Sequence, residues 1–243
     1  MLRRTVRMLM SVIVMTGAIV GVGATSGTAH AAGCYTWNRT LSEGSSGADV
    51  TQLQIRVAGW VASGERLSYD GVYGARTAAA VKKFQSAYGL PADGVAGSQT
   101  FSKIYALQDA DCTPVHFAYS ELNKCNSDWS GGAVSAATAK ANALKTMWKL
   151  EAMRHALGDV PITISSGFRS YACNSAVGGA STSRHLYGDA ADLTGSPSFC
   201  TLAKEARVHG FSEILGPGYP DHNDHAHVAL DPSPYWSAPN CGI

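Results

Sequence analysis

The stretch "SRHLYGDAADLTG", residues 183–195, predicts a tight turn that runs into a buried strand. Gly188 permits the backbone angles of such a turn, and "AADL" at 190–193 is a short apolar run typical of strands. An aspartate in an apolar strand is costly to bury without a partner, so Asp192 indicates a polar site. His185, on the loop before the strand, is a candidate partner.

Three more strands are predicted on either side of this stretch. Ile162 and Ile164 alternate with polar neighbours in a strand that ends at Gly167. The segments "SEILG" at 212–216 and "HAHVAL" at 225–230 have the length and composition of further short strands. These strands are expected to form one small sheet.

Helices are predicted between these strands and before them. Leucine and methionine recur at spacings of three or four over residues 135–157, which indicates a long helix that ends at Gly158. A second helix is predicted near 198–209. Helices and strands mixed in this way predict an α+β domain over residues 113–243, with a small, mainly antiparallel sheet.

The segment "DHNDHAH", residues 221–227, supplies more metal-binding side chains. The two-residue period of a strand places His225 and His227 on one face. Zinc accepts imidazole nitrogen and carboxylate oxygen, and a catalytic zinc keeps three protein ligands and one open position for water. His185, Asp192 and His227 would supply such a set.

Other interpretations of these residues stay open at this point. Asp189, four residues after His185, is an alternative ligand to Asp192, although Asp192 lies in the more apolar surroundings. A histidine–aspartate pair is also common as a surface hydrogen bond. The histidines of residues 221–227 could belong to a solvated loop near the chain end that traps metal adventitiously.

An internal repeat marks an earlier domain. "DGVYGART" at 70–77 and "DGVAGSQT" at 93–100 share Asp-Gly turns, followed by threonines suited to cap helices, Thr77 and Thr100. Helical apolar patterns precede and follow the first copy. The pattern predicts a three-helix domain, which we assign to residues 32–112.

The first residues differ from the rest in composition. Arg3, Arg4 and Arg7 precede an apolar run, and "AHA" at 29–31 fits a cleavage site, so residues 1–31 are predicted to be a secretory signal peptide. Its removal takes away three arginines and no acid, which changes the formal charge from +1 to −2. A charge this small does not indicate a nucleic-acid partner, and no later stretch has the roughly 18 apolar residues of a membrane span.

Six cysteines remain after that cleavage. An even number in an exported chain favours three disulfides, and sequential pairing (34–112, 125–173, 200–241) is the simplest of the 15 arrangements. An alternative is that "AAGC" at 31–34 is a lipoprotein cleavage site with Cys34 lipidated, which would leave one cysteine unpaired.

Two parts of the chain resemble known families. The first runs from Gly44 to Thr100 and resembles the bacterial peptidoglycan-binding domain, in its "G-x-x-G-x-D-V-x-x-L-Q" opening and its two "D-G-x-x-G-x-x-T" turns. The second comprises "SRHLYGDAAD" at 183–192 and "DHAH" at 224–227, and resembles the signature of the zinc D-Ala-D-Ala carboxypeptidase family, S-x-H-x-x-G-x-A-x-D with an acid three residues before the last histidine.

The second resemblance implies a role for each polar residue of the two motifs. It implies one catalytic zinc on His185, Asp192 and His227, with Asp224 as general base. It implies that Arg169 holds substrate or the developing oxyanion and that His222 and His225 support catalysis. Ser183 is the weakest of these assignments: it either contacts substrate or only turns the loop.

Together the resemblances imply a secreted, cell-wall-associated monomer that hydrolyses the terminal D-Ala–D-Ala bond of peptidoglycan stem peptides. Two other functions remain open. One is an endopeptidase of the same family that cuts L-Ala–D-Glu bonds or cross-bridges. The other is a non-catalytic wall-binding protein whose zinc is inert. For the repeat domain, a helical bundle without a ligand is the corresponding alternative.

Overall fold

The computed structural model describes residues 33–243, so the predicted signal peptide lies outside the described residues. Two hydrophobic cores are present in this part of the chain. One is built mainly by residues 33–112, here called the N-terminal segment, and the other by residues 113–243, the C-terminal segment. None of the helices in the described part is long and apolar enough to cross a membrane.

The N-terminal segment contains the three predicted helices. They are α1 (Ala48–Val57), α2 (Ala75–Ala87) and α3 (Ser98–Ala106). Each helix buries an apolar stripe in the first core, and Leu53, Phe84 and Ile104 are among its most deeply buried side chains. The segment is therefore held together by helix packing around one centre.

Two equivalent glutamines form hydrogen bonds to the turns of the two repeats. The Nε2 of Gln54 donates to Asp70 at 2.9 Å and to Thr77 at 3.3 Å. The Nε2 of Gln85 makes the same contacts in the second repeat, to Asp93 at 2.9 Å and to Thr100 at 3.1 Å. Buried polar groups require such partners, so the glutamines hold both turns in place.

The prediction that Thr77 and Thr100 cap helices is wrong. The residues that precede the helices are Gly74 and Gly97, neither of which can offer a side-chain cap. The threonines lie in the first helical turn, where they are buried and accept the glutamine hydrogen bonds. Each threonine hydroxyl thus accepts a hydrogen bond from a glutamine of the preceding helix and does not cap its own helix.

The C-terminal segment begins with the short helix α4 (Tyr119–Leu122) and the predicted long helix α5 (Ala136–Ala156). The side chain of Ser135 caps α5 by accepting from the amide of Thr138, and Gly158 follows its end at φ +83°. Met147, Leu150 and Met153 of this helix are buried in the second core.

The sheet has five strands in the spatial order β1-β2-β4-β3-β5. Its pairs are antiparallel except for the parallel pair β3–β5, so the sheet is mainly antiparallel, as predicted. The strands are β1 (Thr163–Ser166), β2 (Ala190–Thr194), β3 (Glu213–Leu215), β4 (Ala226–Ala229) and β5 (Tyr235–Ser237).

The register of β2 against β4 decides where the polar site forms. Asp192 is directly opposite His227 in this antiparallel pair. Side chains directly opposite one another lie on the same face of a sheet. The fold therefore brings the acid of one motif to the histidine of the other.

Some elements were not predicted. The helix α6 (Tyr171–Ala176), a 3-10 turn at Arg184–Tyr187 and strand β5 have too few residues for a periodic signal. The helix predicted near 198–209 is present as α7 (Phe199–Val208). A second 3-10 turn, Pro239–Cys241, lies near the end of the chain.

Three disulfides join the six cysteines, and their sequential pairing is confirmed. The pairs are Cys34–Cys112, Cys125–Cys173 and Cys200–Cys241. The first closes the N-terminal segment, the second joins the loop after α4 to α6, and the third joins α7 to the 3-10 turn at Pro239–Cys241. Because Cys34 is paired here, the structure favours the disulfide over the lipidated alternative.

The two segments pack closely where α1 ends against α5. A Cβ added to Gly59 would lie 2.5 Å from the Cβ of Ala152 and 3.0 Å from the Cα of Lys149. Trp148 and Ala152 of α5 are themselves part of the first core. The segments are thus joined by apolar packing as well as by the chain connection.

Gly188 provides a stability test of the turn in front of β2. It has φ +76°, and an added Cβ would lie 2.5 Å from the carbonyl oxygen of Ala139. We expect Gly188→Ala to lower the free energy of unfolding by more than about 2 kcal/mol, since both the backbone angle and the contact are unfavourable. Urea denaturation measures the change.

Gly178→Ala is the matched control for this test. Gly178 has φ +68° but has nothing within 4 Å of an added Cβ, so the variant reports the backbone angle alone. Equal losses for the two variants would contradict the close packing of the turn against α5.

Candidate metal centre

Three ligand atoms meet at the centre of the sheet. The Nε2 of His185 lies 3.1 Å from the Oδ1 of Asp192 and 3.1 Å from the Nδ1 of His227. The third side of the triangle, from His227 Nδ1 to Asp192 Oδ1, is 2.9 Å. All three side chains are buried. Within residues 33–243 this is the one group of three such side chains whose ligand atoms all lie within 4.8 Å of one another.

The other nitrogen of each imidazole is occupied by an acceptor. His185 Nδ1 donates to the carbonyl oxygen of Gly167 at 2.5 Å, and His227 Nε2 donates to the carboxylate of Glu213 at 3.0 Å. A proton held on the outer nitrogen leaves the inner nitrogen with a lone pair. This arrangement is typical of metal-binding histidines, whose outer N–H is fixed by a carbonyl or a carboxylate.

The arrangement fits a bound cation. With both imidazoles neutral, two lone pairs and a carboxylate oxygen face one another at about 3 Å, which is repulsive unless a positive charge lies among them. A tetrahedral zinc with ligand bonds of about 2.0 Å requires ligand atoms about 3.3 Å apart. The donor set, two nitrogens and one carboxylate oxygen, is also one that zinc prefers.

The electrostatic surroundings of the triangle also favour a bound cation. Burial would raise the pKa of Asp192, but the two neighbouring imidazoles outweigh it and hold this pKa far below its usual range. Burial lowers the pKa of His227, yet hydrogen bonds to Asp192 and Glu213 raise it to about 9. Burial also lowers the pKa of His185. Because zinc binds neutral imidazoles, metal binding would displace the proton that this raised pKa favours on His227.

Arg169 holds the second oxygen of the shared carboxylate. Its Nη2 donates to Asp192 Oδ2 at 2.7 Å, and its Nε donates to the hydroxyl of Ser166 at 3.0 Å. These bonds orient Asp192 so that Oδ1 faces the two histidines. Among the described residues the Nη1 of Arg169 makes no hydrogen bond, so this donor is free to meet a ligand.

Asp224 and His225 form a hydrogen-bonded pair beside Asp192. Asp224 is 89% exposed, and its carboxylate accepts from His225 Nδ1 at 2.8 Å. The other nitrogen of His225 lies 3.6 Å from Asp192 Oδ1. The hydrogen bond from His225 lowers the pKa of Asp224, so this carboxylate is ionised and able to accept a proton.

His222 lies against this pair. Its ring centroid is 4.7 Å from that of His225 and 5.9 Å from that of His227. Burial lowers the pKa of His222, which favours a neutral ring beside the site. All three histidines of the 221–227 segment therefore converge on the triangle, although β4 begins one residue after His225.

Two other residues considered from the sequence lie outside the triangle. Asp189 makes an ion pair with Arg184, whose Nε also lies 3.7 Å from Asp231. The geometry thus supports Asp192, and not Asp189, as the third ligand. Ser183 immediately precedes the 3-10 turn that carries His185, and its hydroxyl makes no hydrogen bond within residues 33–243. Its position is that of a turn residue beside the site.

Sequence reasoning missed the two outer partners, Glu213 and the Gly167 carbonyl. A backbone oxygen leaves no trace in a sequence. Glu213 in "SEILG" has the spacing of a solvent-facing strand residue, and only the pairing of β3 with β4 brings it to His227. Leu215 pairs with the ligand His227, and Glu213 lies two residues before Leu215. A carboxylate at this diagonal position of the neighbouring strand is the signal that could have identified the partner.

Glu213→Gln tests this outer contact. The amide oxygen can still accept from His227 Nε2 but carries no charge, so we expect zinc affinity to fall by about 10–100-fold. Competition with a chelator of known affinity measures the change. Glu43→Gln, at an exposed position of the N-terminal segment, is the control and should leave affinity unaltered. An unchanged affinity in the Glu213 variant would show that the contact does not support the metal.

Comparison with known proteins gives two family matches. Residues 115–229 match the peptidase M15 family, and residues 46–104 match a peptidoglycan binding domain family. The first range contains the whole triangle, and the second contains α1, α2 and most of α3.

Individual relatives show how far the similarity extends. The zinc D-Ala-D-Ala carboxypeptidase of Streptomyces albus G is 63% identical, over 99% of this chain and 99% of its own. A spore cortex-lytic enzyme of Bacillus cereus is 40% identical over 65 residues, which is 26% of this chain and 24% of that protein. The crystal structure of the SleB N-terminal domain shares 37% identity over 28% of this chain and 92% of its own, with a TM-score of 0.26, too low to indicate a shared overall fold.

Proposed function

Because this chain belongs to the zinc D-Ala-D-Ala carboxypeptidase family, we propose that it hydrolyses the terminal D-Ala–D-Ala bond of peptidoglycan stem peptides. The observation that carries the proposal is the buried triangle of His185, Asp192 and His227 with an exposed, ionised acid, Asp224, that is connected to it through His225. A structural zinc site is closed by four protein ligands and has no need of a base.

The proposed roles follow from the contacts. His185, Asp192 and His227 would hold zinc, which supplies a Lewis acid and an activated water for attack on a peptide carbonyl. Asp224 accepts the proton of the attacking water and delivers it to the nitrogen of the departing D-Ala. His225 keeps Asp224 oriented through the 2.8 Å hydrogen bond. His222 and His225 border the space where the carbonyl oxygen would gain charge.

Arg169 has two proposed tasks. It fixes Asp192 through Nη2, and its free Nη1 is available to the substrate. The substrate ends in a carboxylate, and a guanidinium is the side chain best suited to bind one. Ser183, at the turn that carries His185, is proposed as a weaker substrate contact.

We propose that the N-terminal domain, residues 32–112, binds the cell wall and that residues 113–243 carry out hydrolysis. The two family matches fall within these limits. We further propose that the protein acts outside the cell as a monomer, without a membrane partner once residues 1–31 are removed. Three disulfides support an oxidising compartment.

The cleavage position is tested by mass spectrometry of stem peptides and muropeptides treated with the zinc-loaded protein. Release of free D-Ala, with loss of one residue from the pentapeptide end, is the expected product. Cleavage at L-Ala–D-Glu or within cross-bridges would instead identify an endopeptidase of the same family. Zinc-loaded protein that releases no fragment from any stem peptide would favour a non-catalytic wall-binding role.

A further inference from the structure

A cavity lies between the two segments, apart from the metal site. Its volume is about 340 Å³. The N-terminal segment contributes Arg66, Tyr69 and Arg76 to its lining, and the C-terminal segment contributes Lys149 and Gly210. None of the residues assigned above to zinc or to catalysis lines it.

Lys149 is a buried cation without an acidic partner. Its side chain is 2% exposed, and its Nζ donates to the carbonyl oxygens of Gly210 at 2.7 Å and Ala58 at 3.4 Å. Within residues 33–243, no carboxylate oxygen lies within 4.0 Å of this nitrogen. Burial, together with the charge of Arg66, lowers the pKa of Lys149 to about 7. A buried ammonium in such surroundings is stabilised by an anion.

Two further cations line the same cavity. Arg66 uses only its Nη1 in hydrogen bonds within the described part of the chain, to the carbonyl oxygens of Asp231 and Pro232. Arg76 is exposed and has no hydrogen bond or ion pair in residues 33–243. The acid in the lining, Asp231, offsets one of these charges; its carboxylate accepts from the amide of Ser233 at 2.7 Å and lies 3.7 Å from Arg184 Nε. Three basic side chains against one acid leave the cavity with a net positive charge.

We propose that this cavity binds an oxyanion, a phosphate or carboxylate group that is held by Lys149, Arg66 and Arg76. Either a phosphodiester of an anionic wall polymer or a carboxylate of a peptide stem could supply such a group. Because both segments line the cavity, the bound oxyanion also bridges them. The proposal does not depend on the hydrolytic function, since the two sites share no residue.

The test is a ¹H–¹⁵N NMR titration of the zinc-loaded protein at constant ionic strength. The probes are inorganic phosphate, dimethyl phosphate and acetate, and the reporters are the amides of Gly210 and Ser212, which line the cavity. We expect saturable shifts at these amides and none at Gly178, which lies in an exposed loop. Tighter binding of dimethyl phosphate than of acetate would identify a phosphodiester ligand, and the reverse a carboxylate.

Three variants make the assignment specific. Arg66→Gln removes one charge of the lining at an exposed position, so it should fold normally and bind the preferred probe about tenfold more weakly. Arg76→Gln should weaken binding to a similar extent. Lys82→Gln removes the same charge from the same helix, α2, outside the cavity lining, and should leave binding unaltered. Shifts that do not saturate with any probe, or equal losses in all three variants, would overturn the proposal.

Discussion

Asp224→Asn should lower kcat for an acyl-D-Ala-D-Ala substrate by about 10²–10⁴-fold while one zinc stays bound. Asparagine preserves the size of the side chain but cannot accept the proton of the attacking water. The side chain is 89% exposed and touches His225, not a ligand atom, so its replacement leaves the three ligands in place. Steady-state kinetics and metal analysis of the same preparation measure the two effects.

Asp221→Asn is the matched control. Asp221 lies in the same loop, is exposed, and has φ +60°, a conformation that asparagine tolerates well. It should retain normal kinetics. Near-normal hydrolysis by the Asp224 variant would show that another group acts as the base.

Asp192→Asn should abolish zinc binding and, with it, hydrolysis. The Oδ1 of Asp192 lies within 3.1 Å of both histidine nitrogens, and its charge is the one negative charge within the triangle. Loss of a ligand charge should weaken zinc binding by more than the 10–100-fold cost of losing an outer partner. Zinc content after dialysis against a weak chelator, measured on folded protein, gives the result.

Asp189→Asn separates the two candidate ligands. Asp189 is also buried, but its partner is Arg184 and not an imidazole. The variant should lose stability and keep its zinc. Zinc retained in the Asp192 variant and lost in the Asp189 variant would reverse the ligand assignment.

The predicted parts of the fold are those with a local signal. The α5 helix has several regularly spaced apolar residues, a serine cap and a terminal glycine, so its ends follow from the sequence. The glycine turns of the repeats fix where α2 and α3 begin. The two metal motifs predict ligands because a buried acid and paired histidines are costly without a cation.

The parts that were missed depend on contacts between distant residues. Thr77 is a residue type that commonly caps helices, but its hydroxyl accepts a hydrogen bond from Gln54, which lies on another helix. Glu213 resembles a surface residue until β3 pairs with β4. Lys149 lies on α5 and is buried because the N-terminal segment packs against that helix. A single sequence carries no periodic signal for any of these contacts.

Close packing of the two segments has a consequence for the proposed function. Trp148 and Ala152 of α5 complete the first core, and Gly59 allows the backbones to approach. The wall-binding domain is therefore held at a fixed position relative to the metal site instead of hanging from a flexible linker. Such an arrangement would restrict hydrolysis to stem peptides within a set distance of the bound polymer.

Anomalous diffraction at the zinc edge, from crystals of the zinc-loaded protein, tests the central claim most directly. We predict one strong peak within bonding distance of His185 Nε2, Asp192 Oδ1 and His227 Nδ1, with the fourth position open to solvent beside Asp224. A peak elsewhere, or a fourth protein ligand enclosing the ion, would contradict a catalytic zinc at this centre.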